Sequence, residues 1–349
     1  MRLWLQFCYG SLQVCLEEMY RMITVPPRNI IILLVVIFFG LMIIPLFADK
    51  YIVKLTLRII VFAIFAMSLD FLIGYTGLVS FGHAAFFGLG AYVTQLMSPE
   101  HEAANLLICL PATLLVSALA AAVIGALSVR TKGVYFIMVT LAFAQMLFYF
   151  FFNWEGAGGS DGAFIFYKPN IIISNIIFFD LEDRDTLYFF ALFGLFLSYI
   201  VLIVVLRSPF GQVIKGIKIN EPRMQALGYN TYLFKLVSFI IAGVIAGFSG
   251  FLFACIDGFV SPGLLGWQES GTAMVMVILG GQGTLFGSIL GSIGLHGMEE
   301  IFRDHSITGV MSDHWQILMG VFVICIVLFL SNGLSALFSG VKRETKEDV

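Results

Sequence analysis

The sequence predicts an all-α, polytopic membrane protein of about ten transmembrane helices with both termini on the cytoplasmic side. Three observations predict it. Of the 349 residues 60% are hydrophobic and only 12% charged, with a mean hydropathy of +0.98. Soluble domains are nearer half apolar and a quarter charged. Apolar runs recur along the whole chain, several reaching the roughly 20 residues that a helix needs to cross about 30 Å of hydrocarbon. Basic residues collect in alternate connections, as the positive-inside rule requires.

Taken in order, residues 1–29 form an amphipathic segment. Trp4, Leu5, Cys8, Leu12, Cys15, Leu16 and Met19 recur at helical spacing opposite Arg2, Gln6, Gln13 and Glu17, and Pro26-Pro27 stops the pattern. The stretch lacks an uninterrupted apolar core and a small-residue cleavage site, so it is not read as a secretory signal. It is expected to lie along the membrane surface. The membrane body at 30–338 then holds apolar runs at 30–47, 55–73, 81–97, 104–128, 133–152, 186–206, 236–256, 268–280, 285–302 and 315–338. The short runs at 81–97 and 268–280 are candidates for broken or re-entrant helices. Residues 339–349 make a polar tail.

If all ten runs cross from a cytoplasmic start, thirteen basic residues fall in the inner connections 1–29, 74–80, 129–132, 207–235, 281–284 and 339–349. Five fall outside (Lys50, Lys54, Lys168, Arg184 and Arg303), and Arg58 lies just inside a span. The inverted orientation reverses that balance. The long outer connection at 153–185 is Gly-rich at its start and acidic at its end. Its apolar piece, 171–179, is too short to span and is expected to be an interfacial segment or a short helix.

Three features bear on function. The first is the stretch 68–92. Gly74, Gly77 and Gly82 weaken a continuous helix there, and the freed backbone groups are tolerated at membrane depth only inside protein or beside water. Asp70, Tyr75, Thr76, Ser80 and His83 are its candidate substrate-pathway residues, because ionisable and polar groups at that depth are functional by default. A turn between two spans, with Asp70 capping a helix, is the alternative. His83 belongs to no metal-ligand spacing, and no cofactor is implied.

The second feature is the basic inner loop at 207–235. Asn220-Glu221-Pro222 reads as a helix start and Gly228 as a helix stop. Lys218, Asn220, Glu221, Arg223 and Gly228 are therefore candidates for docking a cytoplasmic partner, against a plain basic loop that touches anionic lipid. The third is the glycine spacing. Gly243, Gly247 and Gly250, and again Gly280, Gly283, Gly287, Gly291 and Gly294, recur every three to four residues. Small residues at that spacing let helices in lipid approach closely.

Other chemistries leave no trace. The sequence has no G-x-x-x-x-G-K-[ST] phosphate loop, no H-E-x-x-H and no nucleophile elbow. Cys8, Cys15, Cys109, Cys255 and Cys325 show no C-x-x-C spacing and read as small packing residues. With a net charge of −3 and no basic tract, nucleic acid is not an expected partner. Any pumping must draw its energy from elsewhere.

Five stretches carry a resemblance. They are GYTGLVSFGHAAFFGLGAY at 74–92, KGVYFIMVTLAFAQ at 132–145, GGSDG at 158–162, NEPRMQALGYN at 220–230 and GGQGTLFG at 280–287. In this order they resemble the branched-chain amino-acid permeases of the ABC importer class, and within it the second of two paired permease types, close to the urea permeases. Asp70 stands where asparagine is common, Ser288 where proline is, and LSNGL at 330–334 lacks a usual Pro-Arg-Gly. The resemblance implies a non-catalytic, pore-forming subunit of the inner membrane. It further implies a second related permease, two cytoplasmic ATP-binding subunits that dock near 211–230, and a periplasmic solute-binding protein. The expected cargo is a small polar solute, foremost a branched-chain or other aliphatic amino acid, moved by alternating access. The alternatives are a urea or short-amide importer of the same class and, from another class, an ion-coupled secondary transporter. The latter would carry intramembrane carboxylates in both halves, whereas Asp70 is the one firm candidate.

Overall fold

The computed structural model describes residues 37–38, 40–45, 48–99, 101, 103–173, 176–305, 309–329 and 333–335. The amphipathic segment at 1–29 and the tail at 339–349 lie outside them, as does most of the run at 30–47. Eleven helices organise the rest: α1 Lys50–Asp70, α2 Ala84–Met97, α3 Leu106–Ser128, α4 Val134–Phe152, α5 Arg184–Arg207, α6 Pro209–Ile219, α7 Glu221–Ala226, α8 Thr231–Asp257, α9 Trp267–Gly280, α10 Leu285–Arg303 and α11 Trp315–Phe329.

Five of these are long and apolar enough to cross a membrane, and the pair α9–α10, bent by 112° at its break, makes a sixth span at most. That count covers the described residues, which leave out most of the run at 30–47 and the end of that at 315–338, so the ten expected crossings are matched there by five or six. Helix α2 has 14 residues because its run begins in non-helical backbone at 81–83. At 1.5 Å per residue it covers about 21 Å. The 268–280 and 285–302 runs are two arms of one bend, since Gly281 (φ 107°) and Gly283 (φ 77°) adopt backbone that a helix cannot continue.

Burial separates the helices into two classes. Nearly three-quarters of the apolar windows of α1 and α8 are buried, against 28% of α3 and 22% of α4. The central pair is therefore enclosed by other helices over most of its length. The outer helices keep exposed apolar stripes: Leu115, Leu119 and Val123 on α3, and Phe189, Phe193 and Phe196 on α5. Spaced by three or four residues, these stripes are the surface that lipid would cover.

Polar side chains stitch the centre without leaving backbone groups open. Ser249 on α8 donates to the Val61 carbonyl of α1 at 2.7 Å, and Ser292 on α10 donates to that of Ile59 at 2.9 Å. Phe62, Phe65, Phe87 and Phe253 interlock between α1, α2 and α8 with ring centroids 4.7–6.1 Å apart. Cys109 and Cys255 are buried free thiols and Cys325 is exposed.

The 153–185 connection departs from one of the two forms expected for it, the short helix. Its apolar piece forms no helix. Strands Asn170–Ile173 and Ile176–Asp180 pair as an antiparallel hairpin, in keeping with a run of β-branched isoleucines. The Gly-rich start forms two 3-10 turns, and Ala163–Phe164 pairs with Phe259–Val260 beyond the end of α8.

Candidate functional site

The functional geometry starts where α1 fails to end cleanly. After Asp70 the helix loosens into a π-helical turn at Phe71–Thr76 and stops at Gly77, whose φ of 74° is left-handed. A widened turn of this kind is frequent at functional positions. The fully buried Asp70 carboxylate accepts a hydrogen bond from the Gly283 backbone N–H through Oδ1 at 2.7 Å. Its Oδ2 has no partner among the described residues. Gly74 faces the same junction, where a Cβ would sit 2.6 Å from both the Gly283 Cα and the Asp70 Oδ1. The break in α1 and the bend between α9 and α10 are thus one contact. A third element closes on it from behind, as the Leu334 N–H donates to the Leu279 carbonyl at 2.9 Å.

The α6–α7 segment is wired into this junction. The Lys218 ammonium donates to the Gly74 carbonyl at 2.5 Å, satisfying one of the acceptors that the π turn frees. Lys215 lies over the Tyr75 ring, 5.7 Å from its centroid. Both lysines stem from α6, which starts at Pro209 with Ser208 as its cap. Asn220 then caps α7 through the Arg223 N–H at 3.0 Å, so the chain turns sharply between two short helices.

Glu221 binds the segment from the other side. Its carboxylate pairs with Lys235 at 2.7 Å and Lys132 at 3.4 Å, and it accepts from the Thr231 hydroxyl at 3.2 Å. Burial raises the Glu221 carboxyl, but the Lys235 hydrogen bond and the two ammonium charges outweigh it and hold the pKa below its ordinary value. Between Thr76–Val79, Thr131–Ile137 and the lysines lies a cleft of about 470 Å³, lined by Lys132, Lys218, Lys235 and Glu221 among others. Lysines 132, 218 and 235, far apart in sequence, therefore gather at one end of the molecule.

The residues singled out from sequence divide by position. Asp70, Tyr75 and Thr76 join the junction, with Thr76 also at the cleft wall. Ser80 and His83 are buried instead in the helix packing. His83 shares a 2.8 Å hydrogen bond with Ser68 and stacks on Phe65 at 5.5 Å. Among the docking candidates, Glu221 is half-buried and Lys218, though exposed, reaches back to the Gly74 carbonyl, whereas Asn220, Arg223 and Gly228 are exposed beside Leu227 and Tyr229. Among the glycines, Gly243 and Gly247 back onto Ala121 and Ser117 of α3. Gly280 and Gly287 face each other across the α9–α10 bend, and Gly291 lies against the Met276 carbonyl. Sequence reasoning missed Lys132 and Lys235 as partners of Glu221. Only their shared sign opposite one acid offered a signal.

Broken helices whose loosened backbone is satisfied inside the protein, joined to a short-helix segment at one end, fit a multi-pass membrane protein that moves solutes. The chain belongs to the family described as "Branched-chain amino acid transport system / permease component", which it matches over residues 51–328. It is 28% identical over 309 residues to the "High-affinity branched-chain amino acid transport system permease protein LivM" of Salmonella typhimurium, covering 83% of this chain and 71% of that one. The protein of the same name from Escherichia coli is 27% identical over the same shares. No solved structure matches the chain. The protein is a transport permease, with helices long and apolar enough to cross a membrane.

Proposed function

We propose that the chain is a pore-forming subunit of an ATP-driven importer, working by alternating access, with branched-chain or other aliphatic amino acids as cargo. A second related permease, two cytoplasmic ATP-binding subunits and a soluble receptor outside the membrane complete the machine. The chain itself hydrolyses nothing. The observation that carries this reading is the Lys218–Gly74 hydrogen bond. It links the segment that presents Arg223, Leu227 and Tyr229 outward to the one place where α1 and the α9–α10 bend meet. A push on α7 from a partner would reach both helix breaks through one rigid lever, since Glu221 ties that segment to Lys235 of α8. The cargo reading rests on the printed function of the relatives. The placement of α6–α7 on the cytoplasmic side rests on the clustering of basic residues there.

The test is co-purification with the candidate ATPase, followed by reconstituted uptake. Arg223→Glu and Leu227→Asp should abolish ATPase association and uptake while leaving the thermal transition of the permease unchanged. Association and uptake at wild-type levels in both variants would remove the docking proposal. Uptake that survives ATP depletion and collapses with an ion gradient would assign the chain to ion-coupled transport. Competition by urea but not by leucine would move the cargo to short amides.

A further inference from the structure

Three lysines meet in the cleft at the end of α1, and the lever uses two of the charges there without filling the space between them. The walls come from Thr76–Val79, from Thr131–Ile137 at the start of α4, from the α6–α7 segment and from α8. Lys132, Lys218 and Lys235 line it against one carboxylate, Glu221, so two positive charges are in excess. Lys235 is buried and held to Glu221 at 2.7 Å. Lys218 is fixed on the Gly74 carbonyl at 2.5 Å. Lys132 reaches Glu221 at 3.4 Å with 71% of its side chain exposed. Each ammonium has three donors, more than these contacts use. Helix α4 begins at this wall behind Gly133 without a side-chain cap, so its positive end adds to the field.

Depth and surroundings say what such a site takes. The cleft lies at one end of three spans: Thr76 closes the first, Val134 opens the second, and Lys235 stands in the second turn of the third. Span ends are where a bilayer places its headgroups. The cleft also continues onto the outer surface of α4. Val134, on its wall, is 65% exposed, and Met138, Ala142 and Met146 follow at four-residue spacing, all exposed. Leu78, Val79, Phe136, Ile137 and Ile217 make the rest of the lining mostly apolar. At about 470 Å³ the space is far larger than a lone inorganic anion. Cations in an apolar cleft that runs into an apolar stripe match a molecule with an anion at one end and hydrocarbon at the other.

We propose that this cleft binds an anionic phospholipid, its headgroup phosphate among Lys132, Lys218 and Lys235 and one acyl chain along the α4 stripe. Basic pockets between spans suit such headgroups. The bound lipid joins α4 to the α6–α7 segment and balances the two cations that Glu221 leaves over. The inference rests on the chain's place in a membrane and not on its cargo. Binding is read without transport, so its failure and that of the importer reading stay distinct.

The experiment is native mass spectrometry of the full chain in detergent, alone and assembled with its ATPase, titrated with phosphatidylglycerol, phosphatidylcholine or inorganic phosphate. One phosphatidylglycerol should bind at least tenfold more tightly than phosphatidylcholine, and more weakly as salt rises. Lys132→Gln should weaken it at least fivefold, and Lys132→Arg should not. Val134→Glu keeps every lysine but sets a negative charge at the mouth, so it should weaken binding as well. Lys54→Gln, near the other end of α1, should change nothing. Equal retention of the two lipids, or wild-type affinity in both Lys132→Gln and Val134→Glu, would overturn the site. Displacement by inorganic phosphate at equal concentration would also overturn it, in favour of a small free anion. Loss of the lipid on assembly with the ATPase would overturn it in favour of an acidic segment of that partner.

Discussion

The Asp70 carboxylate accepts the Gly283 backbone N–H at 2.7 Å, joining positions 213 residues apart. One break comes from a π turn in α1 and the other from two left-handed glycines between α9 and α10. A side chain one carbon longer would push the bend away, and an apolar one would leave the N–H buried without an acceptor. The pairing explains why an acid is accommodated at full burial in a span. It caps the bend of a different helix.

The first prediction follows from that geometry. Asp70→Asn keeps the Oδ1 acceptor, so it should leave the thermal transition in detergent within a few degrees of wild type. Asp70→Leu removes the acceptor and strands the Gly283 N–H, a loss of about 1–3 kcal/mol. Scanning unfolding of the two purified variants checks the ordering. Equal losses would show that charge, and not acceptance, matters at this position.

Gly74 supplies the second. A methyl group there would press on the Gly283 backbone, which has no side chain to rotate away. Overpacking of this kind costs about 1–3 kcal/mol. Gly74→Ala should therefore destabilise the protein and depress uptake, whereas Gly297→Ala, where no atom lies within 4 Å of the new carbon, should do neither. Paired uptake and melting measurements on the two variants decide it.

Much of this site was legible in the sequence, but not its wiring. The glycine spacing at 74–82 marked the break in α1, because missing side chains are visible one residue at a time, whereas that at 280–287 reads as close helix packing. That the breaks touch is a tertiary fact, carried by a single Asp70 oxygen, and no local pattern encodes it. The α7 boundaries were readable from Asn220 and Pro222, since capping is local. The direction of Glu221 was not, because its partners Lys132 and Lys235 come from other connections. Helix length was hidden for a related reason. Apolar runs such as 81–97 give composition, while the unwound backbone before Ala84 is set by packing. There Ser270 accepts the Ala84 N–H at 2.8 Å. Isoleucine-rich 171–173 pairs as a strand because a neighbouring segment is available to it.

The third prediction concerns pH. The Glu221 carboxyl has a lower pKa folded than its ordinary 4.5. Its ionised form is the one the fold favours, so its contribution is present above that ordinary value and fades as pH falls below it. Glu221→Gln should lower the melting temperature by about 2–4 °C at pH 7, the shift expected of roughly 1 kcal/mol. The gap between wild type and variant should narrow below about pH 4. Melting curves across that range check it, and a gap independent of pH would assign the effect to shape alone.

The fourth prediction separates two glycines that look alike in sequence. Gly90 and Gly247 meet where α2 crosses α8. A Cβ at Gly90 would overlap the Gly247 carbonyl, whereas one at Gly247 would overlap the Ser117 side chain of α3. Backbone cannot yield without separating the helices, but a serine can be removed. Gly90→Ala should therefore be the more damaging of the two, and no single change on α3 should repair it. Gly247→Ala should lose about 1–3 kcal/mol and regain part of it when combined with Ser117→Gly. That partner change also removes a buried hydroxyl that has no hydrogen-bond partner among the described residues. The repair should stay incomplete, because glycine inside α3 costs up to about 1 kcal/mol of helix propensity. A double-mutant cycle on melting temperature measures the coupling. Additive losses at 117 and 247 would mean that α3 and α8 do not approach each other there as closely as the coordinates place them.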